Sequence, residues 1–83
     1  MTEKKNGNIR IYYDETKIKL LSKYFIFNGK QEGEYKSYHW NGQLWVICNY
    51  KNGAFEGEYR SYHKNGQLHL ICNYKNDKYR GKI

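Results

Sequence analysis

The chain has 83 residues and a formal net charge of +7, with 15 Lys and Arg against 8 Asp and Glu. A chain of this length forms one domain at most and buries a modest core, so it depends on added stabilisation such as repeat stacking or a partner. It has no run of 18 apolar residues and no apolar stretch after Met1, which excludes a membrane-spanning helix and a secretory signal and predicts a cytoplasmic protein (host cytoplasm if viral).

The N-terminal third is predicted to be a flexible segment followed by an irregular repeat. Residues 1–7 are polar, and we expect them to be flexible. Residues 8–31 keep only part of the pattern found further along the chain, and the span from Tyr12 to Asn28 is two residues longer than its counterpart from Tyr38 to Asn52. Terminal units of repeat proteins are commonly atypical, so this segment is predicted to be a capping repeat.

Two regular repeats follow. Residues 32–55, EGEYKSYHWNGQLWVICNYKNGAF, recur as residues 56–79, EGEYRSYHKNGQLHLICNYKNDKY, with 17 of 24 positions identical. Aromatic and β-branched runs flank Asn41-Gly42, a pair that favours a two-residue type I′ turn, and Asn52-Gly53 predicts the turn to the next hairpin. Residues 80–83 are predicted to form a terminal edge strand. The fold predicted is all-β, a single-layer antiparallel meander of successive β-hairpins.

This register would place Tyr35 opposite Cys48 and Tyr38 opposite Trp45, and cross-strand partners share a face. The face predicted to form the core carries Cys48 and Cys72 and is called the cysteine face. Its other predicted members are Tyr35, His39, Leu44, Val46 and Tyr50, with their equivalents Tyr59, His63, Leu68, Leu70 and Tyr74. The opposite face, called the charged face, is predicted to carry Lys36, Tyr38, Trp40, Trp45 and Ile47, with their equivalents Arg60, Tyr62, Lys64, His69 and Ile71.

The two cysteines occupy the same place in successive repeats. Equivalent strands of neighbouring hairpins lie two strand spacings apart, about 10 Å. A disulfide needs Cα atoms within roughly 7 Å. Cys48 and Cys72 are therefore predicted to be reduced, buried thiols that pack as small hydrophobic groups.

The repeated motif resembles the MORN repeat (membrane occupation and recognition nexus), in the divergent form found in antitoxin-like bacterial proteins and in large DNA viruses. The resemblance covers residues 9–83. The residues that carry it are Gly33-Glu34-Tyr35, Tyr38, Asn41-Gly42-Gln43-Leu44, Tyr50 and Asn52-Gly53, with copies at Gly57-Glu58-Tyr59, Tyr62, Asn65-Gly66-Gln67-Leu68 and Tyr74. It implies an elongated sheet of hairpins that is not an enzyme and serves protein contacts, dimerisation or attachment near membranes.

Catalytic and metal-binding interpretations are weaker than structural ones. Ser37-x-His39 recurs as Ser61-x-His63, but side chains two apart on a strand start roughly 7 Å from each other and no acid orients them. His63 and His69 are predicted to point to opposite faces, which disfavours zinc ligation. Glu34 and Glu58 are interpreted as partners of nearby lysines rather than a catalytic pair. We therefore expect no catalytic residues, no metal, no cofactor and no small-molecule substrate.

The basic and aromatic side chains of the charged face are the predicted binding surface. Its residues are Tyr38, Trp40, Trp45, Tyr62, Lys36 and Arg60. Such a surface suits a protein partner or a second copy of the chain in a scaffolding role. The alternatives are an antitoxin-like protein that neutralises its partner, an anionic membrane surface, single-stranded nucleic acid, or simply a solvated face.

Overall fold

In a computed structural model, which describes residues 6–75 and 78–82, the chain forms one open sheet of nine strands joined by turns. The strands are β1 (Gly7–Tyr12), β2 (Leu20–Phe27), β3 (Lys30–Gln31), β4 (Gly33–Tyr38), β5 (Leu44–Lys51), β6 (Ala54–Phe55), β7 (Gly57–Tyr62), β8 (Leu68–Lys75) and β9 (Lys78–Lys82). Seven of them follow the order β1-β2-β4-β5-β7-β8-β9, and β3 and β6 pair with β2 and β5. Within the described ranges there is no helix long and apolar enough to cross a membrane.

The sheet is a single layer. Its Cα atoms extend over 44 × 36 × 13 Å, and every strand pair is antiparallel. The predicted all-β meander of hairpins is therefore confirmed. Residues 1–5 of the segment predicted to be flexible, and Ile83 of the predicted edge strand, lie outside the described residues.

The turns between hairpins are of type I′. Asn52 and Gly53 have φ of 56° and 87°, and the flanking Lys51 and Ala54 are directly paired. The same turn occurs at Asn28-Gly29, where φ is 52° and 80°. Two central residues with positive φ match the right-handed twist of the strands that they connect. The turn predicted at Asn52-Gly53 is confirmed.

The turn inside each hairpin is different, and the predicted type I′ turn at Asn41-Gly42 is wrong. Gly42 has φ of 90°, but Asn41 is not among the described residues with positive φ. The Gly42 N–H donates to the His39 carbonyl at 2.8 Å, and the His39 N–H donates to the Gln43 carbonyl at 2.8 Å. This is a three-residue loop in which glycine follows a tight turn, and Asn-Gly fits it as well as type I′.

A β-bulge follows from this turn. Ser37 pairs with Val46, whereas Tyr38 pairs with Leu44, so Trp45 is the extra residue on β5. A bulge shifts the alternation of side chains by one residue. Leu44 therefore shares the charged face with Tyr38, and the predicted pairing of Tyr38 with Trp45 is wrong.

The bulge also brings Trp45, the residue that follows Leu44, to the cysteine face. The Trp45 ring stacks on the His39 ring with centroids 4.7 Å apart. In the third hairpin the equivalent His69 has Nδ1 3.4 Å from Oγ of the buried Ser61. The predictions that put Trp45 and His69 on the charged face, and Leu44 and Leu68 on the cysteine face, are wrong for the same reason. Away from the bulge, the predicted register is confirmed.

The core lies on the cysteine face. Cys48 and Cys72 are 2% and 0% exposed and are free thiols, as predicted. Three serines are buried in the same way, Ser22, Ser37 and Ser61. Aromatic rings contact one another across the strands, at centroid distances from 4.8 to 6.0 Å, in the series Tyr24, Tyr35, Tyr50, Phe55, Tyr59 and Tyr74. Within residues 6–75 and 78–82, no second layer packs on these rings.

The two kinds of Asn-Gly turn predict different changes in stability when the asparagine is replaced by glycine. Asn41→Gly removes two hydrogen bonds: Asn41 Oδ1 accepts from the Gln43 N–H at 3.0 Å, and Asn41 Nδ2 donates to the Lys64 carbonyl at 2.8 Å. It should lower the free energy of unfolding by about 1–2 kcal/mol. Asn52→Gly should be neutral or slightly stabilising, because glycine adopts positive φ without strain. Urea denaturation measures both, and an equal response would contradict the assigned turns.

A second prediction concerns pH. Burial raises the pKa of the Cys48 thiol from 9.0 to about 12. The folded state keeps a proton that the unfolded chain loses above pH 9, so stability should fall as pH rises from 9 towards 12. By pH 10.5 the titration of Cys48 should have lowered the free energy of unfolding by roughly 1–2 kcal/mol relative to neutral pH. Urea titrations should show a shallower pH dependence for Cys48→Ala, since lysines and tyrosines titrate in both proteins. Equal slopes would contradict the prediction.

Candidate binding surface

The loops inside the three hairpins lie along one end of the sheet and are tied to each other. The Tyr13 hydroxyl donates to the Tyr38 carbonyl, and the equivalent His39 Nε2 lies 2.8 Å from the Tyr62 carbonyl. Because a carbonyl only accepts, His39 Nε2 carries a proton. The Asn41 amide adds a bond to the Lys64 carbonyl at 2.8 Å. The first and second loops are therefore each held by the next hairpin.

Trp40 is held in the middle of this end. The Tyr13 ring meets it edge-on at a centroid distance of 5.1 Å. Lys19 Nζ lies 4.9 Å from the centroid of the Trp40 ring and donates to the Trp40 carbonyl at 3.0 Å. A cation over an indole face is attracted to it. Despite these contacts, Trp40 remains 53% exposed.

An open groove adjoins the Trp40 ring. Its volume is about 350 Å³, and its lining includes Ile18, Lys19, Tyr38 and Trp40. Ile18 is 79% exposed, the largest fraction among the exposed large apolar side chains of the described residues. We call Ile18, Lys19 and Trp40 the loop-end patch. Two large apolar groups beside a groove form a surface that can bury an apolar side chain of a partner.

The six residues predicted to bind do not form one surface. Tyr38 and Trp40 line the groove together with His39, whereas Trp45, which is 43% exposed, is not one of its lining residues and stacks on His39 from the cysteine face. Lys36 and Arg60 lie on the charged face, as predicted. Their role in binding stays a prediction, and the single surface predicted for them is wrong where Trp45 is concerned.

Lys36 and Arg60, the two cations predicted to bind, have carboxylate partners. Lys36 Nζ lies 3.6 Å from Glu34 Oε1, and Arg60 Nε lies 2.7 Å from Glu58 Oε1. A hydrogen bond to Tyr62, together with Glu58, raises the pKa of Arg60. These exposed ion pairs add little stability. They leave little net charge in the two regular hairpins.

Sequence reasoning missed Tyr13, Ile18 and Lys19. They belong to the first hairpin loop, where seven residues separate Tyr12 from Leu20, against five between Tyr38 and Leu44. Asp14 shapes this loop by accepting the Thr16 N–H at 3.0 Å and the Thr16 hydroxyl at 2.6 Å. The two additional residues were visible in the sequence, but their contact with Trp40 was not.

The histidines of the third hairpin form a pair. The rings of His63 and His69 have centroids 4.5 Å apart, so the prediction that they point to opposite faces is wrong. Groups of three or more metal-ligating side chains are not found in the described ranges. Ser61 approaches His69 rather than His63 and is only 6% exposed. A nucleophile needs access to its substrate, and this hydroxyl has little.

A family model described as a MORN repeat variant matches residues 31–52 and 55–76. These two segments of 22 residues make up more than half of the 83-residue chain. The chain belongs to the MORN repeat family. MORN repeats often act in interaction or membrane binding and are generally not enzymes, so the chain is a repeat module of that broad class. No curated protein and no solved structure gives a significant match.

Proposed function

We propose that this MORN-repeat chain is a non-enzymatic module that binds an acidic segment of a partner protein through the loop-end patch. One observation carries the proposal: Ile18 and Trp40, 79% and 53% exposed, both line the same open groove. Aromatic side chains in such positions often supply most of the energy of a protein interface. The partner would insert an apolar side chain between them.

The patch is arranged before a partner arrives. Tyr13 packs against the edge of Trp40, and Lys19 is bonded to the Trp40 carbonyl. A side chain that is already positioned loses less conformational entropy on binding than a mobile one. This preorganisation supports a role in recognition for a tryptophan that the fold itself leaves half in solvent.

Charge favours an acidic partner. The chain carries +7, and in the loops at this end of the sheet Lys17, Lys19 and Lys64 outnumber Asp14 and Glu15. Opposite charge speeds encounter and disfavours wrong partners. The same cations oppose the approach of a second copy of this end, so self-association through the patch is less well supported. The two free buried thiols support placement in a reducing compartment such as the cytoplasm.

The repeat supplies a matched variant to test this function. Trp40→Lys introduces the residue that the third hairpin carries at this position, Lys64, so the fold should be kept. Peptides selected from a random displayed library should contain an aromatic or large aliphatic residue beside Asp or Glu. They should bind the Trp40→Lys variant at least about tenfold more weakly, by fluorescence polarisation.

Trp45→His, which copies His69, is the control. Its imidazole can keep a ring contact with the groove residue His39, as His69 does with His63 at 4.5 Å, so the same peptides should bind within about twofold. Equal losses in both variants, or selected peptides without acidic residues, would contradict the proposal. Light scattering at low and high salt, with the same two variants, tests the competing case. A dimer that persists in high salt and dissociates in Trp40→Lys would assign the patch to self-association instead.

A further inference from the structure

The charged face of the first hairpin differs from the other two at three positions that lie together. The register pairs Asn8 with Phe25 and Arg10 with Lys23. In the regular hairpins the same pairs are Glu34 with Asn49, Lys36 with Ile47, Glu58 with Asn73 and Arg60 with Ile71. The first hairpin therefore lacks the acid, has a cation in place of isoleucine, and has an aromatic ring in place of asparagine.

These differences concentrate positive charge. Lys23 pairs with Arg10 on β1 and with Lys36 on β4, so three cations occupy neighbouring strands at one level, about 5 Å apart. Like charges directly opposite each other destabilise a sheet. Lys36 and Arg60 each have an isoleucine opposite on the following strand and a carboxylate nearby, Glu34 and Glu58. In the described part of the chain, Arg10 and Lys23 have no carboxylate within 4.0 Å.

The three cations line an open groove of about 540 Å³. Its charged, polar and aromatic lining residues are Asn8, Arg10, Lys23, Tyr24, Phe25, Glu32, Glu34 and Lys36. The groove thus combines three cations with two carboxylates, of which Glu32 accepts from the Asn52 N–H at 2.8 Å and Glu34 lies 3.6 Å from Lys36. Phe25 adds an aromatic ring, and Asn8 adds an amide that both donates and accepts hydrogen bonds. The repeat pattern alone would have placed an acid, an isoleucine and an asparagine here.

We propose that this groove binds a nucleoside di- or triphosphate. The phosphates would lie along Arg10, Lys23 and Lys36, where an anion relieves the repulsion among the cations. The base would pack against Phe25, with Asn8 in reach of its polar edge. The site is separate from the loop-end patch and from the function proposed for it. It also departs from the expectation that no small molecule binds.

The size of the cation row favours a nucleotide over a nucleic acid strand. The row spans two strand spacings, about 10 Å, and the next position along it is Ile47. That length suits two or three linked phosphates. A longer polyanion would need the row to continue, and the neutral Ile47 interrupts it before the next cation, Arg60.

Lys23→Ile is the test variant, because it restores the residue of the two regular hairpins and, by removing the repulsion from Arg10 and Lys36, should leave the thermal stability equal to or above that of the parent chain. Lys64→Gln removes the same charge from an exposed loop and is the control. Calorimetric titration with ADP should show affinity lowered at least about tenfold by Lys23→Ile and changed less than about twofold by Lys64→Gln. Equal losses of ADP affinity in the two variants would mean that only the net charge of the chain matters, and would contradict the proposed site.

Phe25→Asn, which copies Asn49, tests the ring. This variant should bind ADP more weakly but bind inorganic pyrophosphate as tightly as the parent chain does. Adenosine alone should bind the parent chain far more weakly than ADP does. If pyrophosphate binds as tightly as ADP and Phe25→Asn changes neither, the nucleotide assignment is overturned. Tighter binding by oligothymidylate as its length increases would also overturn it, in favour of a polymer. Trp40→Lys should leave ADP binding unchanged, which separates this outcome from that of the loop-end patch.

Discussion

The absence of a second layer is the constraint on which this structure depends. A lone sheet must cover its apolar face with its own side chains, and a single hairpin is too small to do so. Here small groups, the thiols of Cys48 and Cys72 and the buried serines, lie beneath a continuous series of aromatic rings. Because each ring packs against a ring of the next strand, each hairpin is stable only beside a neighbour, which explains the repeat.

The bulged turn links the stacking of the hairpins to the geometry of the binding surface. It makes Trp45 the extra residue of β5 and leaves His39 free to reach the Tyr62 carbonyl of the following hairpin. In the first hairpin Tyr13 makes the equivalent bond to Tyr38. The loops thereby form a fixed row, and the longer first loop places Ile18 and Lys19 beside Trp40. The groove is a consequence of repeat stacking plus two added residues.

The sequence allowed the strands, the inter-hairpin turn and the central register to be predicted, since a period of two and the pair Asn52-Gly53 define them. The hairpin turn was not predictable in the same way, because Asn-Gly suits both a type I′ turn and a tight turn followed by a glycine bulge. That difference of one residue reversed the faces of Leu44 and Trp45. The contact of Lys19 with Trp40 depends on tertiary packing across 21 residues, which no local pattern reports.

The repeat also separates positions that the fold requires from positions that it does not. Residues identical in the regular hairpins form the core, the turns and the loop bonds, so their recurrence needs no function to explain it. Trp40 stands where the third hairpin has Lys64, and Lys23 stands where both regular hairpins have isoleucine. Neither side chain is demanded by the architecture, and Lys23 opposes it electrostatically. Side chains that the sheet tolerates rather than uses are the ones through which one MORN-repeat chain can differ from another in what it binds.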